Sequence, residues 1–122
     1  MGFHPANLAL RLFLELACLV AFVVWGASSG GWLGWAGGIA LAVGAMVVWG
    51  TFAVPGDPSR SGRAPVPVPG WIRLLVELLF FGGGIAALAA GRWASLTEVL
   101  AGLVVLHLLL SSDRIRWLVA QR

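Results

Sequence analysis

Two short segments place an arginine and a glutamate one helical turn apart within apolar sequence. In the first segment, Asn7, Arg11 and Glu15 are spaced by four residues, so a helix presents them on one face. In the second segment, Arg73 and Glu77 have the same spacing. Ionisable side chains are costly in hydrocarbon, where they face a bundle interior or water and pair with one another. The pattern therefore predicts interlocked ion pairs or a polar site inside a membrane.

His107, in the last apolar segment, is predicted to lie at a similar depth in the membrane to these residues. With a helical rise of about 1.5 Å per residue, Glu77 lies about 9 Å from Trp71, and His107 lies about 9 Å before Asp113. We therefore expect Glu77 and His107 at comparable depth, near the inner end of the bundle. The candidate ligand-binding residues are Asn7, Arg11, Glu15, Arg73, Glu77 and His107.

These residues support a structural and a functional interpretation. In the structural one, Arg–Glu pairs form within each helix, or cross as Arg11 with Glu77 and Arg73 with Glu15, and lock the helices together. In the functional one, a polar cavity accepts an ion, a proton or an amphipathic ligand, and Glu15, Glu77 and His107 titrate. Two glutamates and a histidine are possible metal ligands, but no ligand spacing is present, so no metal site is predicted.

The composition excludes a soluble protein. The chain has 122 residues, of which 60% are apolar and 11% are charged, and its mean hydropathy is +0.95. An ordinary soluble domain is about 25% charged, and a disordered chain has low hydrophobicity. The net charge of +3 comes from eight arginines and five acidic residues, and the arginines are scattered over apolar sequence, so they form no basic face for nucleic acid. Because Cys18 is the only cysteine, no disulfide can form within the chain.

Four apolar segments predict an all-α integral membrane four-helix bundle in a single domain. A Pro-rich loop at 53–70 separates the second segment from the third, and a basic amphipathic tail occupies 113–122. Each segment is long enough for a span of about 20 residues when the charges near its ends are included. The predicted spans are 7–26, 32–52, 71–91 and 95–112.

Local signals mark the ends of these elements. Pro5 suits the first turn of the first helix, and the segment from Ser95 to Glu98 has the form of a capping box that begins the fourth. The prolines of the loop favour extended structure, which predicts a semi-rigid tether. Asp57 lies in a Pro-Gly-Asp-Pro segment and is interpreted as a turn residue.

The loop charges predict the orientation. The Pro-rich loop carries Arg60 and Arg63 and the tail carries three more arginines, whereas the opposite side has only Arg92. The positive-inside rule then places both termini in the cytoplasm, in a multi-pass protein of the inner (cytoplasmic) membrane. The seven tryptophans fall near the two ends of the spans, as an aromatic belt at each interface requires.

The two halves share a short pattern. Residues 11–16 and 73–78 both read R-L-x-x-E-L. This repeat leads to the hypothesis that the chain contains two duplicated hairpins, related by a pseudo-twofold axis along the membrane normal. Small residues spaced by four, at Gly30, Gly34, Gly38 and Ala42 and again at Gly83, Ala87 and Gly91, favour close helix packing. The run at 82–84 is three consecutive glycines, which predicts a very close neighbour or a local distortion.

An ordered set of short segments extends through nearly the whole chain: NLALR at 7–11, LEL at 14–16, WG at 25–26, WGTF at 49–52 with Pro55, RLLVE at 73–77 and Gly91. This set resembles the YrdB-like family of small bacterial membrane proteins, a domain of unknown function. The resemblance implies a four-helix membrane protein and supplies no activity. His107 departs from the amide-type residue that the family leads us to expect in the fourth helix, and the Pro-rich loop is longer than expected.

Three functions are compatible with these features. The leading hypothesis is a small transport or ligand-binding protein with a polar Arg/Glu/His site in the inner leaflet, acting as a homo-oligomer in the lipid bilayer. Its ligand would be small and either amphipathic or ionic. The first alternative is a non-catalytic accessory or scaffold subunit with a membrane protein partner. The second is an intramembrane enzyme acting on a lipid or isoprenoid, although no catalytic motif, nucleotide fingerprint or cofactor is identified.

Overall fold

The computed structural model describes residues 3–57 and 63–121. A pair of two-residue strands, β1 (Phe52–Ala53) and β2 (Val66–Pro67), lies between the second and third helices. Helices dominate this part of the chain and confirm the all-α class. They are α1 (Pro5–Ser28), α2 (Gly31–Thr51), α3 (Gly70–Ala90), α4 (Ala94–Leu110) and α5 (Ser112–Ala120).

Helices α1 to α4 lie over the four predicted spans, and α5 is an additional helix in the tail. Pro5 occupies the first turn of α1, as expected, and the side chain of His4 caps this helix by accepting a hydrogen bond from Ala6 N at 3.1 Å. The predicted break between the first two spans is also present. Gly30 and Gly31 adopt φ angles of 95° and 68°, a left-handed backbone that favours glycine.

Glycine packing joins α1 to α2. The buried face of α2 consists of Gly34, Gly38 and Ala42, three of the four small residues whose spacing predicted a close neighbour. The fourth, Gly30, precedes the helix and is exposed. A Cβ atom added to Gly26 of α1 would collide with the backbone of Gly38. Because the two backbones touch at this point, larger residues would separate the helices.

The triple glycine of α3 serves a similar contact with α1. A Cβ atom on Gly84 would collide with the Sγ atom of Cys18, whereas one on Gly82 would meet nothing within 4 Å. The predicted close neighbour is therefore present. The closest approach is at Gly84, one position beyond the stripe that begins at Gly83.

The capping-box prediction for the fourth helix is wrong. The cap residue of α4 is Trp93, two positions before Ser95, and no side chain caps the helix. Ser95 and Glu98 therefore lie inside the helix. Arg92 has a φ angle of 65°, so it turns the chain between α3 and α4, and the hydroxyl of Thr97 donates a hydrogen bond to Trp93 O at 2.7 Å.

The tail folds back onto the start of α3. Helices α4 and α5 meet at Ser111 with a bend of 65°. Gly70 at the start of α3 lies so close to α5 that an added Cβ atom would collide with the backbone of Leu118. The amide of Gly70 also donates a hydrogen bond to Gln121 O at 2.7 Å. These contacts fix the position of α5 against the bundle.

The Pro-rich loop turns at Pro55 and Gly56, and it is extended at Val66–Pro67, as its prolines predicted. Phe52 pairs with Val66 and Ala53 with Pro67 in a short parallel ladder, and Val68 N donates to Ala53 O at 2.9 Å. This ladder brings the end of α2 close to the beginning of α3.

An apolar core of aromatic and small side chains lies between the helices. Phe80 packs edge-on against Phe22 and Phe81, with ring centroids 5.8 Å and 5.9 Å apart. Trp49 covers Phe80 at 4.6 Å, so it lies between this core and the polar end of the bundle.

Much of the remaining helix surface is apolar and exposed. In the described residues, α1, α2 and α3 are each long and apolar enough to cross a membrane, and α4 with α5 forms a fourth candidate if the bent pair is one span. Helix α2 buries only 17% of its most apolar window inside the fold. Such helices are consistent with a membrane protein, because lipid rather than protein can cover their outer faces.

Candidate functional site

The carboxylate of Glu77 is the centre of a buried ion cluster. Its Oε1 atom lies 2.6 Å from Arg11 Nη2 of α1 and 3.0 Å from Arg73 Nε, one turn earlier on α3. Arg114 of α5 reaches both carboxylate oxygens, Nη1 to Oε2 and Nη2 to Oε1, each at 2.8 Å. One carboxylate therefore binds three guanidinium groups from three helices.

Arg73 also stabilises the end of α2. Its Nη1 atom donates hydrogen bonds to Trp49 O at 2.5 Å and to Phe52 O at 2.8 Å. The last carbonyl groups of a helix have no partner within the helix, and a cation there interacts favourably with the helix dipole. Arg73 therefore links the end of α2 to Glu77.

Arg11 makes a second ion pair within its own helix. Its Nε atom lies 3.4 Å from Oε1 of Glu15, one turn further along α1. The guanidinium groups of Arg11 and Arg73 lie over the ring of Trp49, at 4.9 Å and 4.5 Å from its centroid. The R-L-x-x-E-L segments thus make equivalent Arg–Glu pairs on α1 and α3 and contact the same indole, as duplicated halves could, although duplication itself stays a hypothesis.

Asp57 is more than a turn residue. Its amide does donate to Val54 O in a turn, but its carboxylate is buried against Arg114. Oδ2 lies 2.6 Å from Arg114 Nη2, and Oδ1 accepts a longer hydrogen bond from Nε at 3.4 Å. Arg114 thus joins α5, α3 and the loop that follows α2.

The charges of the ion cluster cancel. Three guanidinium groups face three carboxylates, and only Glu15 has an appreciably exposed side chain, at 22%. The other members are 5% exposed or less. The ion cluster consists of Arg11, Glu15, Asp57, Arg73, Glu77 and Arg114.

A polar triad of Asn7, His107 and Ser111 lies beside the ion cluster. Asn7 Nδ2 donates a hydrogen bond to Ser111 Oγ at 2.8 Å, and Asn7 Oδ1 lies 2.9 Å from His107 Nδ1. All three side chains are buried. The polar triad joins α1 to the end of α4 at the point where the chain bends into α5.

The structure brings the six predicted site residues together at one end of the bundle. It confirms the crossed Arg11–Glu77 pair and the two pairs within helices. Whether these residues bind a ligand stays a prediction. Sequence reasoning missed Asp57, Arg114 and Ser111 because it assigned the first two to a turn and to membrane orientation.

In the described residues, no group of three or more His, Cys, Asp or Glu side chains could hold a metal ion. Cys18 is fully buried in the apolar core. Its surroundings are those of a packing residue, since reactive thiols are partly exposed and lie near cations.

An apolar groove lies on another side of the fold. It has a volume of about 750 Å³ and lies between α2 and α3, with Phe22 and Trp25 of α1 at its edge. Along α3 its wall extends from Val76 to Ala90, about 21 Å at the helical rise. No described residue of the ion cluster lines the groove.

The fold and the site together define a small helical bundle with apolar outer faces and a buried ion cluster at one end. The chain belongs to the family described as "Protein of unknown function (DUF2568)", which matches residues 9–105. It is 40% identical over 119 residues to "Uncharacterized protein YrdB" of Bacillus subtilis (strain 168), covering 97% of each chain. These matches confirm the family resemblance. No solved structure matches the chain.

Proposed function

We propose that this chain is a polytopic membrane protein that acts as a non-catalytic accessory or scaffold subunit, with the ion cluster as its internal lock. The observation that supports this role is the enclosure of the Glu77 carboxylate by Arg11, Arg73 and Arg114. A carboxylate that accepts from three cations has little capacity left for a ligand. The cluster instead holds α1, α3 and α5 in one arrangement.

Physical chemistry favours a structural role for such a closed cluster. Removing one partner from a buried ion pair costs about 3–5 kcal/mol, because a charge is left without compensation. The same pairs add little net stability over apolar packing, so their use is to specify one arrangement of helices. Here the guanidinium groups come from helices that are distant in sequence, which makes the cluster a lock on tertiary structure.

The apolar groove offers a surface for association in the membrane, and its proposed occupant is a helix of a second copy. Both walls carry small residues spaced by four, Ala40 and Gly44 on α2 and Ala86 and Ala90 on α3. In lipid, small residues at this spacing let another helix approach closely. The groove also extends about 21 Å, most of the length of a span. The proposed assembly is therefore a homo-oligomer.

Crosslinking tests this assembly. Ala86→Cys places a thiol in the groove, and the control Val105→Cys places one on an exposed part of α4 outside it. Cys18 is fully buried, so the unmodified chain serves as the blank. A bifunctional maleimide applied to native membranes should give a dimer with Ala86→Cys and much less with Val105→Cys. Equal crosslinking of both variants would refute the groove as the contact.

The proposed orientation has both termini and the Pro-rich loop in the cytoplasm. It rests on the arginines of the loop and tail and on the positive-inside rule. Ser61→Cys in the loop and Ser95→Cys in the first turn of α4 report the two sides. An impermeant thiol reagent added outside spheroplasts of the inner membrane should label only Ser95→Cys. Labelling of Ser61→Cys alone would show the opposite orientation and contradict the proposed one.

Ligand binding or transport at the ion cluster is the second candidate, and the exposure of Glu15 favours it. At 22%, Glu15 is the cluster carboxylate with access to the surface. A small cation that entered there would compete with Arg11, which lies 3.4 Å away. Glu15→Gln should then abolish solute uptake into proteoliposomes while the protein still folds. If Glu15→Gln moves each tested solute as the unmodified protein does, this candidate fails.

A further inference from the structure

Arg114 lies between two carboxylates in the manner of a bound cation. Its Nη2 atom is 2.6 Å from Oδ2 of Asp57 and 2.8 Å from Oε1 of Glu77, and Nη1 donates to Oε2 of Glu77. Its side chain is 2% exposed. The planar fork of the guanidinium group matches the two oxygens of Glu77, which a point charge such as ammonium cannot do.

The element that supplies this cation is short and peripheral. Helix α5 has nine residues and is bent by 65° from α4. Near its far end Leu118 touches Gly70 of α3, and Gln121, just after the helix, accepts a hydrogen bond from Gly70 N through its carbonyl oxygen. Removal of the Arg114 side chain would take away its bonds to Asp57 and Glu77, whereas the bonds of Arg11 and Arg73 to Glu77 do not involve α5.

Charge complementarity defines what could replace it. With Arg114 present, the three guanidinium groups and three carboxylates of the ion cluster are neutral overall. Without it, the cluster carries one net negative charge. Arg11 and Arg73 would still hold Glu77, so the carboxylate would stay in place with its outer edge open. The vacated space lies between carboxylates of two elements and fits one planar monocation.

We propose that the space between Asp57 and Glu77 is a binding site for small guanidinium cations, which α5 fills in this structure with its own Arg114. Closure by α5 and binding of an external guanidinium compound exclude each other. The proposal rests on the same ion cluster as the scaffold role and goes beyond that role by assigning a ligand to the face of Glu77 that α5 covers.

Chemical rescue tests the proposal on the full-length protein in non-ionic detergent. Arg114→Ala empties the site, and Arg116→Ala is the matched control, since Arg116 is exposed on the same helix. Ethylguanidinium is titrated in the millimolar range against ethylammonium at equal ionic strength. The readout is the unfolding temperature, measured by tryptophan fluorescence.

The expected result is a saturable rise in the unfolding temperature of Arg114→Ala with ethylguanidinium and a much smaller rise with ethylammonium. Neither cation should stabilise Arg116→Ala or the unmodified protein in this way. The proposal is overturned if both cations act alike, or if the control rises equally. If Arg114→Ala is recovered unfolded, it and Arg114→Gln are purified with ethylguanidinium present throughout. Failure of the cation to restore folding of either variant also overturns the proposal.

Discussion

Glu77 of α3 accepts a two-pronged hydrogen bond from Arg114 of α5, with both N–O distances at 2.8 Å. Bidentate pairs of this kind fix orientation as well as distance. Through them the terminal helix is held against the same carboxylate that binds Arg11 and Arg73. One carboxylate therefore contributes both to the attachment of α5 and to the packing of α1 on α3.

Neutralising Glu77 should destabilise the bundle strongly. Glu77→Gln keeps the shape of the side chain but leaves three buried guanidinium groups facing two carboxylates, and we expect a loss of about 3–5 kcal/mol in the free energy of unfolding. Denaturation in mixed detergent micelles measures this loss. The control is Glu98→Gln on the exposed surface of α4, which should change stability by less than about 0.5 kcal/mol. Similar losses in the free energy of unfolding for the two variants would mean that the ion pairs of Glu77 do not hold the helices together.

Replacing Arg114 by lysine should weaken the attachment of α5. Lysine keeps the charge but cannot donate to Asp57 and to both oxygens of Glu77 in one plane, so at least one charged hydrogen bond is lost, at about 1.5–3 kcal/mol. Proteolysis of the tail should become faster in Arg114→Lys than in Arg116→Lys, its exposed counterpart on α5. An unchanged rate of cleavage would show that the forked geometry does not hold the helix.

Two neighbouring glycines of α3 should respond in opposite directions to the same substitution. Gly84→Ala forces a Cβ atom against Cys18, and overpacking of this kind costs about 1–3 kcal/mol. Gly82→Ala meets open space and should stabilise the helix by about 0.5–1 kcal/mol. The unfolding midpoint of each variant is compared with that of the unmodified protein, and we expect it to fall for Gly84→Ala and to rise for Gly82→Ala. Stabilisation by both would contradict the close contact of α1 with α3.

The polar triad should contribute through its hydrogen bonds. Asn7→Ala leaves the buried groups of His107 and Ser111 without the Asn7 side chain, and an unsatisfied buried polar group costs about 1–3 kcal/mol. Ser95→Ala, at an exposed position of α4, is the reference for a hydroxyl outside the triad. The same unfolding assay compares the two variants. Equal stabilities of Asn7→Ala and Ser95→Ala would mean that the triad does not stabilise the bundle.

The sequence predicts the positions of the four long helices well because their signal is local. Hydrophobic length identifies each helix, and the spacing of Arg11 with Glu15 and of Arg73 with Glu77 already indicates burial on one face. Burial among apolar helices leaves such residues few partners besides one another, which is why the crossed Arg11–Glu77 pair could be predicted.

The contributions of Asp57 and Arg114 could not be predicted from local sequence, because they depend on how the loop and the tail fold against the bundle. Both residues lie in segments with ordinary alternative explanations, a turn and a basic tail. The available signal was the spacing of Arg114 and Leu118, which places a cation and an apolar residue on one face of a possible tail helix. The capping box failed for a related reason, because a four-residue motif does not fix a helix start when the preceding turn places Trp93 at the cap.

The most direct test of the ion cluster as a tertiary lock is a double-mutant cycle between Arg11 and Glu77. Arg11→Met and Glu77→Gln are made singly and together, and the free energy of unfolding is measured for each. The lock predicts that the double variant loses less stability than the sum of the singles, with a coupling energy of about 0.5–3 kcal/mol. Additive losses, equal within about 0.3 kcal/mol, would contradict it.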